Sequence, residues 1–286
     1  MTKKLLYISL IVCLVLTMNG VAYAVEKIET KPSSCVVVLS EKDIIDELQE
    51  KSDKQLEKYG YTKDDIEKIR SFSEEEMLAE LAKLPDDELE KRGYSAKEIH
   101  DLKVNGRALN NPYVYYGEVR YSIECTSLKY NTSTKRTVLK MKARWQWSKK
   151  PLVQTSDVIA MTTGDSAFTI NNGSAFGRAV YSESLGGQEE VSAITAKTSG
   201  SATGTYMTIP LTKGRANREF AFSGDLTATY EAAGKIKQVV GVCKYAHREI
   251  GLDPSVSVDF DGVEISITPE WVWKSNGEAV DTYKLT

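Results

Sequence analysis

The sequence predicts a two-part α+β protein, in which a small N-terminal helical bundle is followed by an antiparallel β-sandwich. Two observations predict it. Residues 25–107 carry a net charge of −7 and contain helix-capping motifs in two related copies. Residues 108–286 carry a net charge of +2, hold 15 of the 19 glycines and all four tryptophans, and alternate apolar with polar residues. The overall composition, 41% hydrophobic and 27% charged, excludes an intrinsically disordered chain.

The first 24 residues have the three parts of a secretory signal peptide. Two lysines supply the positive charge, residues 5–16 are apolar, and Ala22 and Ala24 form an A-x-A cleavage site. The apolar run is shorter than the roughly 20 residues that a membrane-spanning helix needs. We therefore expect cleavage near Ala24, a secreted or extracellular protein, and no transmembrane segment in the mature chain.

A helical module is predicted over residues 40–107, after a linker over residues 25–39. Residues 55–70 and 88–103 form a two-copy helix–turn–helix repeat, in which six of sixteen positions are identical. Each copy has a glycine suited to the left-handed position after a helix, then a tyrosine, then a capping box that starts the next helix. The residues in these positions are Gly60, Tyr61, Thr62 and Asp65, and Gly93, Tyr94, Ser95 and Glu98.

The β-rich half, residues 108–286, is predicted from period-2 alternation. Apolar residues occupy every second position over residues 139–147, and residues 220–230 show a similar pattern. Asp261 and Gly262 separate two further alternating runs, which predicts a two-residue hairpin. Strands with one apolar face favour antiparallel sheets that pack face to face, so we predict a β-sandwich. A closed β-barrel is the alternative.

The search for catalytic and metal-binding motifs is largely negative. The chain has two histidines and no zinc-ligand spacing, so we expect neither a metal site nor a cofactor. No serine-nucleophile motif is present. His247 is the one imidazole of the β half that is a candidate general base, although a structural role for it is favoured. The near-neutral charge and the export signal argue against nucleic acid as a partner.

Three cysteines remain after removal of the leader: Cys35, Cys125 and Cys243. A Cys125–Cys243 disulfide and two buried free thiols are both consistent with the strand-like surroundings of these residues. Spacing alone does not decide between them, because a disulfide requires Cα atoms within about 7 Å.

Aromatic residues supply the candidate ligand-binding site. Trp271 and Trp273 share one strand face, where an exposed pair of indoles would stack on sugar rings and a buried pair would belong to the core. Tyr245 and His247 are added as candidate ligand residues. Trp145 and Trp147 continue an apolar stripe, which favours the core for them.

A basic strip lies on the opposite face of the Trp145 strand and comprises Lys140, Lys142 and Arg144. Such a strip would attract anionic polymers or lipid headgroups through its summed potential. A solvated strand face is the favoured interpretation.

The resulting hypothesis is an exported, non-enzymatic binding protein. Its β-sandwich would recognise a glycan or protein of a cell wall or cell surface, and the helices would serve as a docking or spacer module. One alternative is a membrane-active, pore-forming toxin, since residues 191–208 have the Ser, Thr and Gly content of membrane-inserting hairpins, although they lack a lipid-facing apolar row. A secreted hydrolase is the other alternative.

Overall fold

The computed structural model describes residues 36–285 with the exception of ten short internal ranges. These are 59–60, 106–111, 153, 166, 200, 215–217, 249–256, 262–263, 269–272 and 275–278. The predicted signal peptide and its cleavage site lie outside the described residues. Within the described residues, no helix is long and apolar enough to cross a membrane.

The helical segment of the described chain contains six α-helices and a 3-10 helix. The α-helices are α1 Glu41–Glu50, α2 Asp53–Lys58, α3 Lys63–Ser71, α4 Glu74–Lys83, α5 Asp86–Lys91 and α6 Ala96–Asn105, and the 3-10 helix is Pro112–Tyr115. Helices this short have little stability alone, so packing must hold them. Each buries at least one apolar side chain, from a single leucine, Leu56, in α2 to Ile44, Ile45 and Leu48 in α1.

The corner between α5 and α6 is closed by local hydrogen bonds. Gly93 has φ +98°, and the N–H of Tyr94 donates to the carbonyl of Leu89 at 3.1 Å. The Ser95 N–H donates to Glu98 Oε2 at 2.7 Å, while the Glu98 N–H donates to Ser95 Oγ at 3.3 Å. These bonds satisfy N–H and C=O groups that the two helix ends leave unpaired. The corner before α3 has matching bonds, which join Tyr61 to Leu56 and Thr62 to Asp65.

The strands of the described residues all pair antiparallel. They are β1 Val37–Ser40, β2 Glu118–Asn131, β3 Arg136–Trp147, β4 Ser156–Thr163, β5 Thr169–Ile170, β6 Phe176–Ser182, β7 Glu190–Ile194, β8 Lys197–Thr198, β9 Gly204–Pro210, β10 Thr212–Lys213, β11 Glu219–Ala233, β12 Gln238–Arg248, β13 Ser257–Asp261, β14 Glu264–Thr268, β15 Trp273–Lys274 and β16 Ala279–Lys284.

Two open sheets form a β-sandwich, as predicted, and neither closes into a barrel. The large sheet has the order β1-β2-β3-β11-β6-β7, with β5 and β10 also paired to β11. The small sheet has the order β15-β12-β4-β9-β8, with β16 also paired to β12. Residues 37–40, which fall mostly in the predicted linker, instead form edge strand β1, in which Val38 pairs with Arg120. The apolar run before Ser40 explains this, because its last residue, Leu39, is buried in the core and holds the edge strand on the sheet.

The core lies between the two sheets and contains the apolar stripes that alternation predicts. Trp145 and Trp147 are 2% and 1% exposed, so both indoles are core residues. A β-bulge between Cys125 and Ser127 inserts one residue into β2. The bulge shifts the parity of the strand, which keeps Leu128 on the buried face beyond it.

The outer faces of the two sheets differ in their cover. The outer face of the small sheet carries a second buried cluster, comprising Val158, Ala160, Val242 and Ala246. Strand β14 of the neighbouring hairpin packs against β4 and β12 of this sheet. Asp261 pairs with Glu264, so Asp261 belongs to strand β13 and not to the turn in which the sequence placed it. The outer face of the large sheet carries solvent-exposed side chains instead.

Candidate functional site

A buried polar cluster joins the helical segment to the sandwich. Its members are Glu41 at the start of α1, Asp157 on β4 and His247 on β12, and each is 2% exposed or less. His247 Nδ1 lies 2.8 Å from Asp157 Oδ1, and His247 Nε2 lies 3.4 Å from Glu41 Oε1. Trp147 meets the imidazole edge-on at 4.8 Å between ring centroids, and Tyr245 donates its hydroxyl to Asp157.

The charge state of this cluster follows from its partners. Burial alone would lower the pKa of His247, but the carboxylates of Asp157 and Glu41 outweigh burial and raise the pKa to about 10. His247 is therefore an imidazolium at neutral pH, held between two acids. Burial and Asp157 also raise the pKa of the Tyr245 hydroxyl well above its ordinary value.

Glu41 fixes the start of α1 to two connections of the sandwich. Its Oε2 accepts the Gly117 N–H at 3.0 Å, and its Oε1 accepts the Leu152 N–H at 2.7 Å. The Glu41 N–H in turn donates to the Gly117 carbonyl at 3.1 Å. A carboxylate that accepts an N–H group on each oxygen and lies beside a cation is a structural anchor, because both oxygens are engaged inside the protein.

The same burial decides the accessibility of two predicted ligand residues. Tyr245 and His247 are both 0% exposed, so neither presents a surface to solvent. His247 lacks the access to substrate that a general base needs. Trp271 lies outside the described residues, and for Trp273 only the backbone pairing with Arg248 is described. Sugar stacking by these two indoles therefore stays a prediction.

The predicted basic strip lies on the outer face of β3, opposite the buried tryptophans. Lys140 and Arg144 are exposed and Lys142 is partly exposed. Arg144 pairs with Glu124 at 2.7 Å, and Lys142 lies 4.0 Å from Asp225. Acids from the neighbouring strands thus interrupt the positive charge, which weakens long-range attraction to an anionic polymer.

Cross-strand registers line up continuous rows of side chains across this outer face. One row runs from β1 to β7 through Val38, Arg120, Gln146, Ser223, Val180 and Val191. The neighbouring row, from β2 to β7, comprises Ser122, Arg144, Asp225, Arg178 and Ala193. At roughly 4.8 Å between strands, six strands make a face about 24 Å wide. We call this surface the open sheet face.

The open sheet face combines exposed apolar side chains with fixed arginines. Val36, Val38, Phe176 and Val191 are 56%, 45%, 50% and 60% exposed, respectively. The guanidinium of Arg178 donates to Asp225 at 2.6 and 3.1 Å, and these hydrogen bonds raise the pKa of Arg178. A groove of about 550 Å³ crosses the middle of the face.

Gly224 allows the sheet to pack closely beneath that groove. A Cβ atom at Gly224 would lie 2.2 Å from the carbonyl oxygen of Arg178 and 2.8 Å from the indole of Trp145. Only a residue without a side chain fits there, because a backbone atom cannot yield as a flexible side chain can.

The two described cysteines, Cys125 and Cys243, are free and buried, so the disulfide that the sequence left open is not formed. Cys125 lies on β2 of the large sheet and Cys243 on β12 of the small sheet, where Cys243 Sγ lies 3.9 Å from the Ser122 carbonyl. Burial raises the pKa of the Cys125 thiol to about 12, which keeps it protonated. Among the described residues, no group of three or more His, Cys, Asp or Glu side chains is arranged to hold a metal ion.

Neither a known protein family nor a curated protein matches the sequence. Among solved structures, the collagen-binding domain of a Staphylococcus aureus adhesin is 8% identical, with a TM-score of 0.31, over 57% of this chain and 95% of that one. The collagen-binding subdomain of an Enterococcus faecalis surface protein is 6% identical, with a TM-score of 0.27, over 52% and 88%. Clostridium perfringens delta-toxin is 8% identical, with a TM-score of 0.22, over 58% and 83%. At these values the likeness carries no argument about function.

Sequence reasoning identified one strand of the open sheet face and missed the rest. Alternation placed Arg144 on a polar face, and the same signal is present for Arg120 and Arg178. What the sequence does not contain is the strand order that brings these arginines together. Val38 and Val191 come from segments more than 150 residues apart in the chain.

Proposed function

We propose that this protein is an exported, non-enzymatic binding protein whose open sheet face docks a partner at a cell surface. The observation that supports the proposal is the exposed apolar rim, formed by Val36, Val38, Phe176 and Val191, around a polar centre. Val36 and Val38 at the β1 edge and Phe176 and Val191 near the β7 edge offer apolar contacts on both sides of the polar centre, which a partner lying across the face would bury. The helical segment serves as a docking or spacer module.

The composition of the open sheet face favours a protein partner over a glycan. Arginine is enriched at protein–protein interfaces and their buried core is apolar, and a surface about 24 Å wide has the extent of a standard interface. Sugar rings are bound by stacking on aromatic rings, and Phe176 is the one exposed aromatic residue among the described residues of this face. A glycan partner is the outcome that Trp271 and Trp273 would support.

Catalysis receives no support from the described part of the chain. The His247 cluster has the acids and the imidazole that an active site would use, but all three side chains are closed to solvent. Residues 191–208, whose composition suggested membrane insertion, contribute β7, β8 and β9 to the two sheets. These strands pair with β6 and β4, and they belong to the folded sandwich.

The test is binding of the purified protein to type I collagen, fibronectin and a glycan array, followed by surface plasmon resonance on each ligand found. The double substitution Val191→Ser and Phe176→Ser removes apolar contacts from the open sheet face. We expect it to raise the Kd at least ~10-fold, which corresponds to a loss of about 1.4 kcal/mol of binding free energy. Val104→Ser is the matched control, because Val104 is 64% exposed on α6, outside the face.

The result contradicts the proposal if Val104→Ser weakens binding as much as the double substitution does, or if the double substitution leaves every Kd unchanged. Absence of binding to all three ligand sets and to intact cells would also overturn it. Binding to the glycan array alone, with loss in the double variant, would keep the face and replace its occupant with a sugar polymer.

A further inference from the structure

A second cavity, of about 530 Å³, opens where the helical segment meets the sandwich. It lies apart from the open sheet face. Helix α5 contributes Lys91 and the following Arg92, the β3–β4 connection contributes Lys150, and Arg218 lies just before β11. We call this space the junction cavity.

Hydrogen bonds across the junction hold the walls of the cavity in place. The Lys150 N–H donates to the carbonyl of Arg92 at 2.9 Å, and Lys150 Nζ donates to the carbonyl of Glu183 at 2.8 Å. A Cβ atom at Gly93 would lie 3.1 Å from the Ser148 carbonyl, so the helical corner sits directly on the end of β3. The cavity is therefore a product of the contact between the helices and the sandwich.

Positive charge dominates the lining. Four cationic side chains face two carboxylates, those of Glu88 and Glu183, and one amide, that of Gln154. Arg92 is held by Glu88 at 3.3 Å. The ammonium of Lys150 instead meets a neutral carbonyl, and burial lowers its pKa. A bound anion would offset this cost by pairing with the half-buried charge.

We propose that the junction cavity binds a small polar oxyanion, a carboxylate or sulfate carried by a molecule the size of a sugar acid. Guanidinium groups such as those of Arg92 and Arg218 bind planar oxyanions through paired hydrogen bonds. The volume lies within the 300–1,000 Å³ that is typical of small-molecule sites. The polar lining suits hydroxyl groups, for which Glu88 and Gln154 supply acceptors and a donor.

The experiment is isothermal titration of the whole protein with glucuronate, with inorganic sulfate and with glucose. We expect glucuronate to bind at least ~10-fold more tightly than glucose, with an affinity that falls as salt is added. Arg218→Gln and Lys150→Gln should each weaken glucuronate binding at least ~10-fold. Lys150→Gln keeps a polar side chain at this position and the backbone hydrogen bond from the Lys150 N–H to Arg92, and Arg218 is exposed, so both variants are expected to fold. Arg136→Gln is the control for charge, because Arg136 is an exposed arginine at the far end of β3.

Sulfate separates the two sources of the oxyanion. Competition by sulfate would show that the bare ion suffices, and failure to compete would assign recognition to the sugar carboxylate. Three results would overturn the proposal. These are equal binding of glucose and glucuronate, no binding of any probe at roughly 10 mM, and an equal loss of glucuronate binding in Arg136→Gln. Val191→Ser should leave glucuronate binding unchanged, so failure at the open sheet face remains distinguishable from failure here.

Discussion

Substitution Glu41→Gln tests whether the buried cluster clamps the helical segment to the sandwich. The change keeps the shape of the side chain and removes its charge. Glu41 accepts two N–H groups, those of Gly117 and Leu152, and lies 3.4 Å from His247 Nε2. The amide of glutamine has one oxygen and one NH₂ group, so one of the two backbone donors must face another donor. His247 then retains Asp157 as its single carboxylate partner.

The expected loss of stability follows from these contacts. One hydrogen bond to a charged group contributes about 1.5–3 kcal/mol, and the lost attraction between Glu41 and the imidazolium adds to it. Because the His247–Asp157 pair stays neutral overall, the cost should stay below that of an orphaned buried charge. We expect the free energy of unfolding to fall by about 2–4 kcal/mol at pH 7.

The pH dependence gives a second and more specific result. The pKa of His247 is about 10 in the folded protein against an ordinary 6.5. The contribution of the charged imidazolium to the stability of the fold is therefore complete below about pH 6.5 and is lost as the pH rises through about 10. In that window the folded state binds one more proton than the unfolded state, so the free energy of unfolding falls by about 1.4 kcal/mol per pH unit. Without Glu41 the pKa of His247 is lower, so the decline should begin at a lower pH and be smaller in total.

The measurement is urea unfolding at pH 6, 7, 8 and 9, followed by tryptophan fluorescence, for which Trp147 is a direct reporter of the cluster. Glu80→Gln is the control, because Glu80 is 72% exposed on α4 and a surface substitution should change stability by less than about 0.5 kcal/mol. Two results would show that the clamp does not exist as described. Glu41→Gln could lower the free energy of unfolding no more than Glu80→Gln does, or the pH profile of Glu41→Gln could run parallel to that of the unsubstituted protein.

Three further predictions concern the sandwich and its junction with the helices. Gly224→Ala should destabilise the protein by about 1–3 kcal/mol in urea unfolding, because the new methyl group meets a backbone carbonyl and the indole of Trp145; an unchanged midpoint would contradict this packing. Cys125 and Cys243 should resist iodoacetamide in the native protein and become labelled in urea, as read by peptide mass spectrometry, and a mass that shows a disulfide between them would refute the two free thiols. Tyr94→Phe removes a buried hydrogen bond of 2.7 Å to the 3-10 helix and should cost about 1–2 kcal/mol in the same unfolding assay, with no loss if that bond is absent in solution.

Features set by neighbouring residues could be predicted from the sequence. The Ser95–Glu98 capping box needs only residues three apart, and the structure contains both of its hydrogen bonds. The alternation over residues 139–147 correctly placed Trp145 and Trp147 in the core, because a strand presents every second side chain to the same face. Helix starts, strand faces and the β-sandwich class all rest on such short-range rules.

The candidate sites depended on tertiary structure. Asp157 and His247 are 90 residues apart in the chain, and their contact depends on β4 pairing with β12. Many registers bury an equal amount of apolar surface, so alternation alone does not choose the partner of a strand. The open sheet face likewise exists because the strand order places the polar sides of β2, β3, β11 and β6 next to one another. The sequence by itself determined which side of each alternating strand is polar, because a strand presents every second side chain to the same face. The assembled sheets decided which polar sides lie together and remain in contact with solvent.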